Sequence, residues 1–107
     1  ELKGLDIEMP IVNKKNFHVF HIFAVGHPRR ELILKKMRLK NINLNIHYPH
    51  PIHTMKAYKK FDCGKYNYLF ETEKKAKMIF SLPIYPSLNN YEIESIIQNI
   101  NKIVSKI

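Results

Sequence analysis

The feature that most constrains this chain is its closing stretch. Ile93, Ile96, Ile97, Ile100, Ile103, Val104 and Ile107 recur at steps of three and four, which places their side chains on one face of an α-helix. Asn89 stands where an N-cap is wanted, and Glu92, three residues on, can return a bond to its backbone N–H. A helix with one continuous apolar stripe is stable only when the stripe is covered, so the sequence demands a second layer.

The material for that layer lies upstream. Residues 16–25, Asn-Phe-His-Val-Phe-His-Ile-Phe-Ala-Val, are apolar on both alternating faces and predict a strand covered on both sides. Gly26 and Pro28 punctuate, and the breaker-free run 29–40 then predicts a helix on which Ile33, Leu34 and Met37 share a face. Asn41 suits the left-handed residue that ends it. In 42–47, Ile42, Leu44 and Ile46 alternate with Asn43 and Asn45, the pattern of a half-buried strand leaning on that helix.

The remainder is more broken. Two prolines make 48–51 an extended turn, and a short helix is expected over 52–60. A loop around Gly64 follows, then a helix over 68–78 supported by a Glu73–Lys77 pair, then a brief strand or extended turn over 80–85 ended by Pro86. Residues 1–15 carry two apolar clusters around Pro10 and read as an irregular lead-in. The expected fold class is therefore α+β, a two-layer α/β sandwich, with a lead-in at 1–15 and the domain proper at 16–107.

Composition narrows the function classes. A chain of 107 residues is one domain of modest stability that a partner surface would help, and 45% hydrophobic residues with six Phe and six Tyr make it globular. The formal charge of +9 raises a polyanion or an anionic membrane as partners. Its basic residues fall on expected helices, from Arg29 to Lys40 and at Lys56, Lys59 and Lys60, where a solvated face is the simpler reading. The lone Cys63 excludes an internal disulfide and fits a reducing cytoplasm. No apolar run approaches the roughly 20 residues of a membrane span, and no signal peptide is visible. The start at Glu1 suggests a fragment.

Candidate chemistry concentrates in imidazoles. His47, His50 and His53 are close in sequence, with His18 and His21 on the expected first strand. Pro49 and Pro51 oppose convergence of the three on a metal, and Cys63 lacks a second cysteine, so no metal site is expected. His18 and His21 read first as buried histidines bonded to backbone. Lys56 could form a Schiff base only if desolvated, and beside Lys59 and Lys60 it reads as a solvated charge. There is no glycine-rich phosphate loop, Gly-x-Ser-x-Gly elbow or carboxylate pair.

The order of residues adds a resemblance. His47-Tyr48-Pro49-His50-Pro51-Ile52-His53 followed by Ala57-Tyr58, His18-Val19-Phe20-His21-Ile22-Phe23 upstream, and Phe80-Ser81-Leu82-Pro83-Ile84-Tyr85-Pro86 downstream resemble, in order and spacing, the C-terminal segment of DegT/DnrJ/StrS-type sugar aminotransferases. Asparagine at 41, 43 and 45, where small residues are common, and the absence of the usual proline before Tyr68 depart from the pattern. The resemblance implies the small C-terminal domain of a fold type I enzyme, with pyridoxal phosphate and the catalytic lysine in a missing large domain and no catalytic residue in this fragment. It implies a homodimer moving an amino group from glutamate to a nucleotide-linked keto sugar, for polysaccharide or antibiotic sugars, in the cytoplasm. His47 and Tyr48 would contact substrate, supported by His18, His21, Pro49 and His53. A regulatory relative without catalysis and a freestanding polyanion-binding module are the alternatives, and neither nucleic acid nor membrane is expected as partner.

Overall fold

The computed structural model describes Leu2, residues 5–61 and residues 69–107. Cys63 and the expected loop around Gly64 lie outside the described residues. Two short strands, β1 (Phe23–Gly26) and β2 (Ile79–Leu82), pair antiparallel at the centre. Helices α1 (Arg30–Arg38), α2 (Phe70–Met78) and α3 (Asn90–Val104) complete the architecture, and the protein is a small α+β domain.

Register decides the two faces of the sheet. Phe23 pairs with Leu82, and Val25 with Phe80; alternation sends these four side chains to one face. There they meet Ile33 and Met37 of α1 and Ile96, Ile100, Ile103 and Val104 of α3, and Val25, Phe80, Ile33, Met37 and Ile100 are fully buried. Burying each such side chain contributes roughly 1.5–3 kcal/mol, so this layer holds the fold together. The other two pairs, Ala24 with Ser81 and Gly26 with Ile79, face away from the helices.

Single bridges extend the sheet on both edges. Glu8 pairs with Gly26 on the outer side of β1, and Asn45 pairs with Ser81 on the outer side of β2, both antiparallel. A Cβ on Gly26 would lie 3.2 Å from the Glu8 carboxylate, so a larger residue there would make that side chain shift slightly. Leu2 and Ile7 from that lead-in are buried in the core, and Lys75 of α2 forms an ion pair with Glu8.

The helix ends follow the sequence closely. Asn89 accepts from the Glu92 N–H at 2.9 Å while the Glu92 carboxylate accepts from the Asn89 N–H at 2.9 Å. Asn41 has φ 58°, the Asn41 N–H reaches the Arg38 carbonyl at 3.0 Å, and the Ile42 N–H reaches the Met37 carbonyl at 3.1 Å, the paired bonds of a Schellman ending. Arg30 closes α2 from outside, its Nη1 donating to the carbonyls of Ala76 at 2.6 Å and Ile79 at 3.2 Å.

Four local expectations change. The strand expected over 16–25 is regular only from Phe23, because a turn at Asn13 and a left-handed Phe20 (φ 48°) break the extended chain before it can pair. Phe17 and Val19 are 93% and 79% exposed, so the apolar pattern there records a need for cover that this chain does not meet. Residues 42–47 keep the half-buried alternation yet pair only at Asn45. The short helix over 52–60 is two 3₁₀ turns, Ile52–Thr54 and Lys56–Phe61, and Glu73 pairs with His53 rather than Lys77.

Candidate functional site

The sheet face turned away from the helical core carries the polar cluster. Ser81 is buried there, held by its backbone pairing with Asn45, and its Oγ lies 2.8 Å from Nδ1 of His47. Tyr48 follows with φ 54°, although it is not glycine and precedes Pro49, which normally forces its neighbour into an extended conformation. Such a backbone costs on the order of 1–3 kcal/mol and persists only where its surroundings impose it. The Tyr48 side chain is 83% exposed, so packing of its ring does not repay that strain.

His47, Tyr48 and His21 line one cleft of about 480 Å³ with Ser81 at its base. Asn43, Asn45 and Tyr85 complete its polar lining, and Ile22, Leu82, Pro83 and Ile84 supply the apolar walls. Imidazole, amide, phenol and hydroxyl groups thus share this lining, each able to take part in hydrogen bonds. No Lys, Arg, Asp or Glu lines this cleft among the described residues.

Apart from His21, the other expected residues lie elsewhere. His18 and His21 are exposed, not buried. His18 folds back on its own segment, its Nδ1 accepting the Phe20 N–H at 2.8 Å and its ring 4.2 Å from that of Phe20. His53 lies beyond the turn, its Nε2 3.0 Å from the Glu73 carboxylate, tying the first 3₁₀ turn to α2. Pro49 is exposed and fixes the backbone between Tyr48 and His50. Among the described residues, no group of three His, Cys, Asp or Glu is placed to hold a metal, and no helix is long and apolar enough to cross a membrane.

The model of the DegT/DnrJ/EryC1/StrS aminotransferase family matches residues 1–101. The chain belongs to that family. A dTDP-3-amino-3,4,6-trideoxy-alpha-D-glucose transaminase from Micromonospora megalomicea subsp. nigra is 39% identical over 100 residues, 92% of this chain and 26% of the relative. The crystal structure of S. venezuelae DesV in complex with a ketimine intermediate superposes with a TM-score of 0.88 at 27% identity, over 99% of this chain and 29% of that one. NtdA from Bacillus subtilis with bound cofactor PMP superposes with a TM-score of 0.79 at 25% identity, over 96% of this chain and 24% of the other. This DegT-family chain therefore spans about a quarter of the curated relative it matches.

Within the family setting, the lining of the cleft bears on the cofactor. Holding pyridoxal phosphate takes a lysine amine for its aldehyde and strong donors for its phosphate. The cleft at His47 presents no lysine and no arginine among the described residues, so it does not fit that group. Sequence reasoning selected His47 and Tyr48 by motif but missed Ser81, Asn43, Asn45 and Tyr85 as cleft residues. The alternating asparagines were visible as a polar strand face, and nothing local marked Ser81 as the partner of His47.

Proposed function

We propose that this domain is the C-terminal part of a pyridoxal-phosphate-dependent aminotransferase acting on a nucleotide-linked keto sugar, and that the His47–Tyr48 turn forms one wall of the sugar-nucleotide site. The observation that carries the reading is the cleft itself: imidazole, amide, phenol and hydroxyl groups line it around a strained, exposed Tyr48. Backbone strain held at an exposed aromatic residue is expected where a side chain must be presented to a ligand. The transaminase name of the Micromonospora relative and the PMP bound in the Bacillus structure supply the reaction class.

Pyridoxal phosphate, held by a large domain of the parent chain, would supply the electron sink for moving the amino group. The amino donor leaves as its 2-keto acid, and the keto carbon of the sugar becomes an amine. The residues of this chain bind and orient. His47 and Tyr48 offer an imidazole and a phenol to the substrate, and Pro49 holds the turn that presents them. His21 faces the same cleft, whereas His18 and His53 brace the flanking segments. Residues 1–15 lead in from the large domain, and this domain alone has no transaminase activity. Glutamate as donor, a homodimer and a cytoplasmic setting belong to the same proposal and rest on the family resemblance.

Replacing His47 with alanine in the full-length parent tests the reading. The KM for the nucleotide sugar is expected to rise roughly three- to tenfold, the loss of about one hydrogen bond. An unchanged KM would remove His47 from the substrate site.

A further inference from the structure

Ser81 is a small hydroxyl buried on a central strand, on the sheet face opposite the packed core. Its backbone is anchored twice over. Its N–H donates to the Asn45 carbonyl at 2.7 Å and its carbonyl accepts from the Asn45 N–H at 3.2 Å, while Ala24 lies opposite it in the register of the sheet. The Oγ is thus a fixed point, and the His47 ring is joined to it through Nδ1 at 2.8 Å. The ring's other nitrogen, Nε2, has no protein partner among the described residues. An imidazole held at one nitrogen by a rigid group has its orientation set, leaving the second nitrogen for a ligand.

The cleft also indicates which part of a ligand it takes. A diphosphate is matched best by guanidinium or ammonium groups, and neither lines this cleft among the described residues. Amides, phenols and imidazoles suit the hydroxyl and carbonyl groups of a neutral sugar ring.

Resting on the function proposed above, we propose that Ser81 is a positioning residue that fixes the His47 ring so that Nε2 bonds a neutral oxygen of the sugar rather than the diphosphate. Ser81 acts through His47 and does not itself touch substrate.

The test uses the full-length parent protein loaded with its cofactor, titrated calorimetrically with dTDP-glucose and UDP-glucose, each beside its free nucleoside diphosphate. Ser81→Ala should weaken the sugar nucleotide roughly three- to tenfold and leave the free diphosphate unchanged. Ser81→Thr, which keeps the hydroxyl, should restore most of the loss. In a His47→Ala background, Ser81→Ala should have no further effect, because the group it positions is gone. Equal losses for sugar nucleotide and free diphosphate, or additive losses in the double variant, would overturn the proposal. If His47→Ala weakens the sugar nucleotide and Ser81→Ala does not, the positioning role fails while the substrate wall stands. If neither sugar nucleotide binds the unsubstituted protein, or if His47→Ala changes nothing, the functional reading fails first.

Discussion

At the residue scale, several positions have their conformation imposed by a bond they alone can make. Asn89 exchanges side-chain and backbone bonds with Glu92, satisfying donors at the start of α3 that water would otherwise have to reach. Asn89→Ala removes the side-chain acceptor and is expected to destabilise the domain by about 1 kcal/mol, read as a lower urea midpoint at an unchanged slope. An unshifted midpoint would mean that the cap adds nothing to the global stability. Tyr48 is the contrary case. Its positive φ is opposed by its own Cβ and by Pro49, so the constraint comes from the fold around it: His47 bonded to Ser81, and Asn45 paired with the same residue.

At the element scale, the short strands and helices depend on contacts across the chain. β1 and β2 are four residues each, too short to stand alone as a two-stranded sheet, and they persist because α1 and α3 cover one face. The Arg30 guanidinium spans from the first turn of α1 to the last carbonyls of α2, with its side chain 11% exposed. Arg30→Ala is expected to cost about 1–3 kcal/mol, since it leaves those carbonyls without their donor. Hydrogen exchange at the end of α2 and the melting temperature should both report it. Arg30→Lys should recover little, because one ammonium cannot at once hold the two carbonyls that Nη1 reaches and the Glu31 carboxylate that Nε and Nη2 grip. Full recovery by lysine would show that charge at the helix terminus, and not the forked geometry, matters there.

At the scale of the whole molecule, the domain leaves apolar surface uncovered. Ile11, Phe17 and Val19 are 97%, 93% and 79% exposed, and the radius of gyration is 16.1 Å. A self-contained domain of this length is expected near 13 Å. Both observations suit a unit completed by a further surface, in keeping with a chain that spans about a quarter of its relative. Replacing Phe17 and Val19 together with serine should leave the isolated domain within about 0.5 kcal/mol of its starting stability. In the full-length parent the same pair should cost more than about 2 kcal/mol, because each side chain would lose burial worth roughly 1.5–3 kcal/mol. Equal effects in the two settings would show that the segment stays open in the parent too.

Much of this was legible before any coordinates, and the division has a physical cause. The closing helix with its capping box, the left-handed end of α1 at Asn41 and the alternation of Ile42, Leu44 and Ile46 all depend on neighbours within a few residues. Local spacing specifies such features, and it also carried the motif that singled out His47 and Tyr48. The short reach of β1, the strain at Tyr48, the Arg30 cap on α2 and the Ser81–His47 pair were not legible. The last two join residues 46 and 34 positions apart, and their energies depend on which surfaces the packed chain brings together. Sequence alone determined which stretches must be helical and which side chains need cover; tertiary structure decided which of them receive it, because burial and long-range hydrogen bonds exist only once distant segments meet.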